Sequence, residues 1–505
     1  MPPATDSLPL RRLIYGLLIT LAAGSVAGRI MAVSRLFEPH LFRSEGDDRD
    51  TRRGPWPRTR PEPTPTHGDN DRSRWDTVRA LVDHGTYVIG HRESPEKDPH
   101  DSGIITEDGW KTIDKVLRPD TQDFYSSKPP FLATLVAGEY WLLKKLFGWS
   151  IVEQRWEVVR VVLLTVNWLP MIAYLAFLGR LLEQFGATDW GRLYVLGAAC
   201  FGTLLTPFAN TFNNHSVATC SALFALYPAL QIWKNENVRG TWFLWAGFFA
   251  GFTAANELPA TAMVTSLFVL LLLRSAWRTM LLFVPAAAVP IAAFLYTNYL
   301  AIGQWRPAYD FFGTPWYEYL GSHWKVEPDK PKFGIDWAYL TESRTTYGFH
   351  VLLGHHGLFS LFPIFLLSVA GVVYTLWPSR LGKGEANDSS DPKARARVYL
   401  SRVIIAIATL LLTVIVTVFY IFIVNDRNRN YGGWTCGPRW LMWLTPLWLL
   451  SMLPMADWLS SRRWGRGLAY VLLAISVFSS TYPVWSPWRH PWLYNLLEAQ
   501  GWINY

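Results

Sequence analysis

The chain has 505 residues, 50% of them hydrophobic and 15% aromatic, with 27 tryptophans and a formal net charge of +8. Its apolar residues are blocked into long runs and much of its positive charge lies in the short loops between them. The composition is that of a polytopic membrane protein, and the basic balance is a topology signal that argues against a nucleic-acid partner. Cys200, Cys220 and Cys436 have no metal-type spacing and imply no disulfide framework.

Arg11-Arg12 precede apolar residues 13 to 34, a run longer than a signal-peptide core and without a small-x-small cleavage site. This predicts a retained first helix with its N-terminus in the cytoplasm. Residues 35 to 155 form the longest polar region. Up to about Pro65 it is rich in Pro, Arg and Asp, carries no periodicity, and reads as irregular. From Ser73 the pattern changes, with Trp75, Val78, Leu81 and Val82 at helical spacing opposite Arg72, Asp76, Arg79 and Asp83, and Gly85 as a stop. A short amphipathic helix is expected there. Asp69 and Asp71 stand just before it, where a carboxylate serves equally as an ordinary cap or as a base held at a membrane surface.

Tyr125-Ser126-Ser127-Lys128-Pro129-Pro130 follows, and its paired prolines keep the backbone extended so that Lys128 is presented, to headgroups or to a phosphate oxygen. Residues 131 to 147 are apolar but contain Glu139, Lys144 and Lys145. Counted as a span they would reverse the side of every later loop, so they are assigned to the membrane interface.

Further spans are expected near 156 to 182, 191 to 208, 216 to 233, 241 to 255, 258 to 273, 279 to 299, 356 to 377, 402 to 424, 440 to 456 and 467 to 485, eleven with the first helix. The run 241 to 273 is split because one helix of that length would be roughly 50 Å long, against a hydrocarbon core of ~30 Å, and because Asn256-Glu257-Leu258-Pro259 lies at its centre. This count divides the chain into a first helix (1–34), an extracytoplasmic loop with interfacial helices (35–155), spans two to seven (156–299), a second outer loop (300–355), spans eight to eleven (356–485) and an outer tail (486–505). The basic clusters Lys234 to Arg239, Arg274 to Arg278, Arg380 to Arg402 and Arg462 to Arg466 then all fall on the cytoplasmic side.

The same count gathers the remaining polar candidates on the outer face. Asn213-Asn214-His215 opens one span, and Glu257 sits at a helix-hairpin tip. Arg439, in Tyr431-Gly432-Gly433-Trp434-Thr435-Cys436-Gly437-Pro438-Arg439, and Arg160, at the start of the second span, are charges that need partners, a lipid phosphate among them. His355-His356 open another span without a third ligand at recognisable spacing. The acidic residues and histidines permit a divalent metal without requiring one.

Taken together, the acidic pair in the first outer loop, the helix ending in Gly85, Lys128-Pro129-Pro130 before an apolar stretch ending in Phe147-Gly148, and Arg160 opening the next span resemble the GT-C superfamily of membrane glycosyltransferases. The branches it is most similar to are the protein O-mannosyltransferase and aminoarabinose transferase types. The resemblance covers residues 67 to about 180 by motif and the rest by helix count. It implies an all-α polytopic GT-C-like fold, of about 11 transmembrane helices with a long extracytoplasmic first loop carrying short amphipathic helices, in the inner or cytoplasmic membrane with its site facing outward.

It further implies transfer of a hexosyl or pentosyl group from a polyprenyl-phosphate donor to a hydroxyl acceptor, with a first-loop Asp as base and the Lys before Pro-Pro on the lipid phosphate. Those roles fall on Asp71, with Asp69 as the alternative, and on Lys128, with Tyr125, Arg160, Glu257, Arg344 and Arg439 as further substrate contacts. Relatives usually carry Asp-Glu where this chain has Asp69-Asn70-Asp71. Two other readings compete. A lipid or sugar transporter predicts matching repeats between the halves, which the sequence lacks, and a non-catalytic membrane assembly subunit would tolerate loss of the Asp and the Lys.

Overall fold

A computed structural model describes residues 8–35, 62–94, 100–236, 238–326, 332, 334–377 and 392–505. Most of the irregular reading before Pro65 and much of the basic loop 378–402 lie outside these residues. The described chain is mostly helical. Among the described residues, five helices are long and apolar enough to cross a membrane: α1 (Leu8–Ala32), α4 (Arg155–Phe185), α6 (Asn214–Lys234), α9 (Ala276–Ile302) and α12 (Arg395–Ile423).

The first of them shows how the sequence selects its faces. Leu10, Leu13, Leu17 and Leu21 recur at helical spacing and remain exposed, as a lipid-facing stripe would, while Tyr15, Ala22, Val26 and Ile30 on the opposite side are buried. By contrast α6 is enclosed almost all round, and its small residues Ala218, Ser221, Ala222, Ala225 and Ala229 admit neighbouring helices.

The other expected spans are also helical but shorter or interrupted. These are α5 (Asp189–Phe201), α7 (Gly240–Asn256), α8 (Leu258–Arg274), α11 (Phe365–Leu376), α13 (Thr445–Ser460) and α14 (Arg463–Thr481). Among the described residues, five of the eleven expected spans thus have the length and composition of a membrane crossing, and the other six are shorter helices. The polar turn at Asn256-Glu257 divides α7 from α8 as its sequence implies. At Gly247 and Gly251 an added Cβ would collide with the α9 backbone at Phe283 and Ala287, so the missing side chains set how closely α7 and α9 approach.

The first polar region departs from the expectation of helices alone. It holds a four-stranded antiparallel sheet of β1 (Gly90–Arg92), β2 (Asp101–Ser102), β3 (Lys115–Leu117) and β4 (Asp123–Ser126) in the order β2-β1-β4-β3, with Val116 opposite Tyr125. The strands are two to four residues long, too short for alternation to stand out in the sequence.

The helix α2 (Asp69–Arg79) begins four residues before the expected Ser73, and it is not amphipathic in the structure. Trp75 and Val78 are buried, but so are Arg72, Asp76 and Arg79, because the sheet and its loops cover the polar side. Its last turn runs on to His84, and Gly85 closes it in the left-handed conformation (φ 69°). Residues 131–147 belong to one helix, α3 (Pro130–Phe147), which starts on Pro130 and packs against α2 and α9.

Candidate functional site

The site is built on the start of α2. Gly68 is extended at the cap, and Asp71 turns back on the entering chain to accept from the Gly68 amide at 2.8 Å and the His67 amide at 3.0 Å. The Thr211 hydroxyl donates to the same carboxylate at 3.1 Å. Asp71 is 1% exposed, so this carboxylate both starts the helix and ties the first polar region to the loop before α6. His67 reaches the same loop, with Nε2 3.2 Å from the Asn210 carbonyl, and burial pushes its pKa down to about 4. It is a neutral ring at physiological pH.

One helical turn further on, Arg74 is 3% exposed and donates to the Asn70 carbonyl at 2.7 Å, to the Asn70 side chain, and to the Asn214 side-chain oxygen at 2.5 Å. Asn214 and His215 open α6, whose Asn213 caps it by accepting from the Ser216 amide at 2.8 Å. The Asn214 amide donates to the Glu257 carboxylate at 2.7 Å, and His215 Nδ1 meets the same oxygen. On its other side, His215 Nε2 accepts from Arg439 Nη1 at 3.3 Å. An arginine only donates, so Nε2 is the lone-pair nitrogen and Nδ1 carries the proton toward Glu257.

Arg439 is held from three directions. It donates to the Gly432 carbonyl at 2.9 Å, contacts His215, and lies over the Trp488 ring at 4.8 Å. Neither Arg74 nor Arg439 has a carboxylate in ion-pair contact among the described residues. Lys128, presented at the end of β4, pairs with Asp114 at 2.9 Å and is near enough to both guanidinium groups for their charge to act on it. The strand end that carries it is clipped to α2 by Ser73, whose hydroxyl contacts the Asp114 carbonyl at 2.5 Å and the Ser126 hydroxyl at 2.6 Å.

This crowding of cations is legible in the protonation of each group. Burial and the neighbouring Arg439 bring Arg74 down to about 10, and burial likewise lowers Lys128 despite Asp114. Burial pushes the Glu257 carboxyl, in the turn between α7 and α8, up to about 8 against the pull of Arg439 and Arg74. The chemical capacity of the arrangement is binding of an anion at a helix N-terminus, beside a carboxyl that titrates near neutral pH.

The structure thus brings Lys128, Glu257 and Arg439 together around Arg74 and His215, with Asp71 at the border through Arg74 and Thr211. Four sequence candidates lie elsewhere. Asp69 accepts from the Ile113 amide at 2.9 Å and from Arg72 at 3.2 Å, on the sheet side of α2. Tyr125 is buried in an apolar cluster with Val116, Ile302 and Tyr317. Arg160 donates to the Met31 carbonyl at 2.6 Å, satisfying the open end of α1, and Arg344 pairs with Asp426 at 2.7 Å.

Sequence reasoning missed Arg74 and Asp114, and it placed Asn214-His215 on the outer face without giving them a role. The available signals were an arginine three residues after Asp71 and a polar triplet at the mouth of an apolar run.

No protein-family model and no curated protein matches the chain. Among solved structures it is similar to the apo form of an Archaeoglobus fulgidus oligosaccharyltransferase, with 13% identity and a TM-score of 0.43 over 97% of this chain and 57% of that one. The oligosaccharyltransferase AglB of the same archaeon, in complex with an inhibitory peptide and a dolichol-phosphate, aligns with 11% identity and a TM-score of 0.39 over 93% and 55%. The Archaeoglobus fulgidus enzyme in complex with Zn and sulfate gives 12% and 0.41 over 96% and 55%. This chain spans little more than half the length of those proteins.

Proposed function

We propose that the chain is a membrane glycosyltransferase that moves a sugar from a polyprenyl-phosphate donor to an acceptor hydroxyl at the outer membrane face. The observation that carries this reading is the pair of guanidinium groups, Arg74 and Arg439, that meet across Asn214-His215 without a carboxylate in ion-pair contact among the described residues. Cations held away from water in this way favour an anion strongly, and a phosphate matches the guanidinium fork. Lys128 and the N-terminus of α6 add positive potential on the same side.

In the proposed reaction the acceptor oxygen attacks the anomeric carbon as the bond from that carbon to the phosphate oxygen breaks, with inversion. Arg74, Arg439 and Lys128 take up the charge that builds on the departing polyprenyl phosphate. Asp71 takes the acceptor proton. Hydrogen bonds donated by the His67 and Gly68 amides keep it in place, and the rotatable Thr211 hydroxyl is the partner that an acceptor hydroxyl would replace. The placement of Asp71 beside Arg74, against that of Asp69 beside Arg72, supports Asp71 as the base.

A second assignment rests on Glu257, whose carboxyl, held near 8, suits proton transfer at neutral pH. The two are separated by a transfer assay on membranes with a polyprenyl-phosphate sugar. Asp71→Asn is expected to fold and to lose the chemical step, whereas full activity in both Asp71→Asn and Glu257→Gln would remove the catalytic reading. Binding of the lipid phosphate without turnover in the intact protein would favour a transporter or an assembly subunit.

A further inference from the structure

Outside the cationic site, a second cluster brings together residues from the loop before α11 and from the C-terminal tail. Glu342 stands just before α10 (Arg344–Leu352), His350 lies in its last turn, and His355 follows it. One carboxylate oxygen of Glu342 and one ring nitrogen from each histidine all lie within 4.8 Å of one another. We infer that Glu342, His350 and His355 form a binding site for a transition-metal dication of the Zn2+ class. This goes beyond the transferase reading and does not depend on it.

Three features of the cluster point the same way. The donor set is two imidazoles and a carboxylate, which suits Zn2+ and its neighbours and ill suits Mg2+ or Ca2+, which take oxygen ligands. His350 Nδ1 is buried and makes no hydrogen bond among the described residues, so one imidazole donor of the set is unengaged. Glu342 makes no ion pair among the described residues. Its two oxygens instead accept from the Tyr431 hydroxyl at 2.5 Å and the Tyr505 hydroxyl at 2.6 Å. A half-buried carboxylate held by two hydroxyls, with no charge partner among the described residues, gains from a cation.

The geometry also leaves room for closure. Bonds of ~2 Å in a tetrahedral set put donor atoms about 3.3 Å apart, so binding would draw the three closer and turn the stacked rings of His350 and His355 apart. The Tyr505 hydroxyl lies 2.5 Å from His355 Nε2 as well as against Glu342, and it or a water would complete four ligands. His356, with Nδ1 2.6 Å from His355 Nδ1, and Tyr431 would orient the ligands as outer partners. Tyr431 adjoins Gly432, whose carbonyl holds Arg439, so an ion here would brace the turn that aims that arginine.

The test is metal content of the full-length protein in detergent, stripped with chelator and equilibrated with Zn2+ or Co2+. Elemental analysis should find one tightly held ion per chain. His350→Ala, His355→Ala and Glu342→Gln should each weaken binding at least 10-fold, and His91→Ala, on the sheet, should leave it unchanged. X-ray absorption on the wild-type metal complex provides a readout that no variant's folding affects, with two imidazoles and one carboxylate expected in the first shell. Absence of stoichiometric metal, equal binding by the three variants, or a shell without imidazole would overturn the site.

Discussion

The two sides of α2 carry almost the same residue types and put them to opposite uses. On the sheet side, Arg72 pairs with Asp69 at 3.2 Å, Arg79 with Glu107 at 2.7 Å, and Arg92 of β1 with Asp101 at 3.0 Å. Toward α6, Arg74 and Arg439 are bound by amides, carbonyls and an imidazole. The first side is electrostatically closed, since each guanidinium has its own anion. The second retains a positive field that an incoming phosphate can satisfy. Burial alone therefore does not mark a functional arginine; the chemical type of its partners does.

The comparison is broken most directly by removing carboxylates from each side. Asp71→Asn should lower sugar transfer by about 10²- to 10⁴-fold, the usual worth of a positioned base, while Asp69→Asn should leave the rate within a few-fold. Equal losses in the two variants, measured as kcat on purified protein, would make both carboxylates structural. A loss of about 10²- to 10³-fold is expected for Arg439→Ala or Arg74→Ala, in line with removal of a donor to developing charge. Arg79→Ala, from the closed side, should change thermal stability more than turnover.

A smaller effect concerns pH. With Glu257 titrating at about 8, the rate should change slope near that value, and Glu257→Gln should flatten the profile there. An unchanged profile in the variant would show that Glu257 has no part in proton transfer.

The smallest effect tests Asp76, a buried carboxyl on the closed side that has no hydrogen-bond partner among the described residues. Asp76 is fully buried, and desolvation holds its carboxyl well above the ordinary range despite Arg72 and Arg79. The folded state thus holds this proton more tightly than the unfolded chain. Its contribution to stability is complete below the unfolded value of about 4 and declines as pH rises through the folded one. Asp76→Asn should reduce that decline in Tm with pH without altering transfer, and a Tm profile identical to wild type would exclude the titration.

Much of this was open to reading in one dimension. Long apolar runs located the helices, Gly85 marked the end of α2, and Asn256-Glu257-Leu258-Pro259 marked a turn, because each rests on local physics: solvation, a left-handed backbone, a break in periodicity. Lys128, Glu257 and Arg439 could be singled out because a charge beside an apolar run is costly wherever it falls. Charge alone did not separate them from Arg160 and Arg344, which carry the same cost and meet it at the Met31 carbonyl and at Asp426.

What the sequence determined by itself was therefore the membrane class, the order of the helices and a set of charges in need of partners. Only the tertiary structure decided which partners they have. It set the side of α2 that Asp69 and Asp71 each face, the covering of its polar stripe by the sheet, and the meeting of Arg74 with Arg439 across Asn214-His215. The physical reason is that solvation and backbone preferences act on neighbours in the chain. Ion pairing and hydrogen bonding act over a few ångströms between residues such as Arg439 and His215, 224 positions apart.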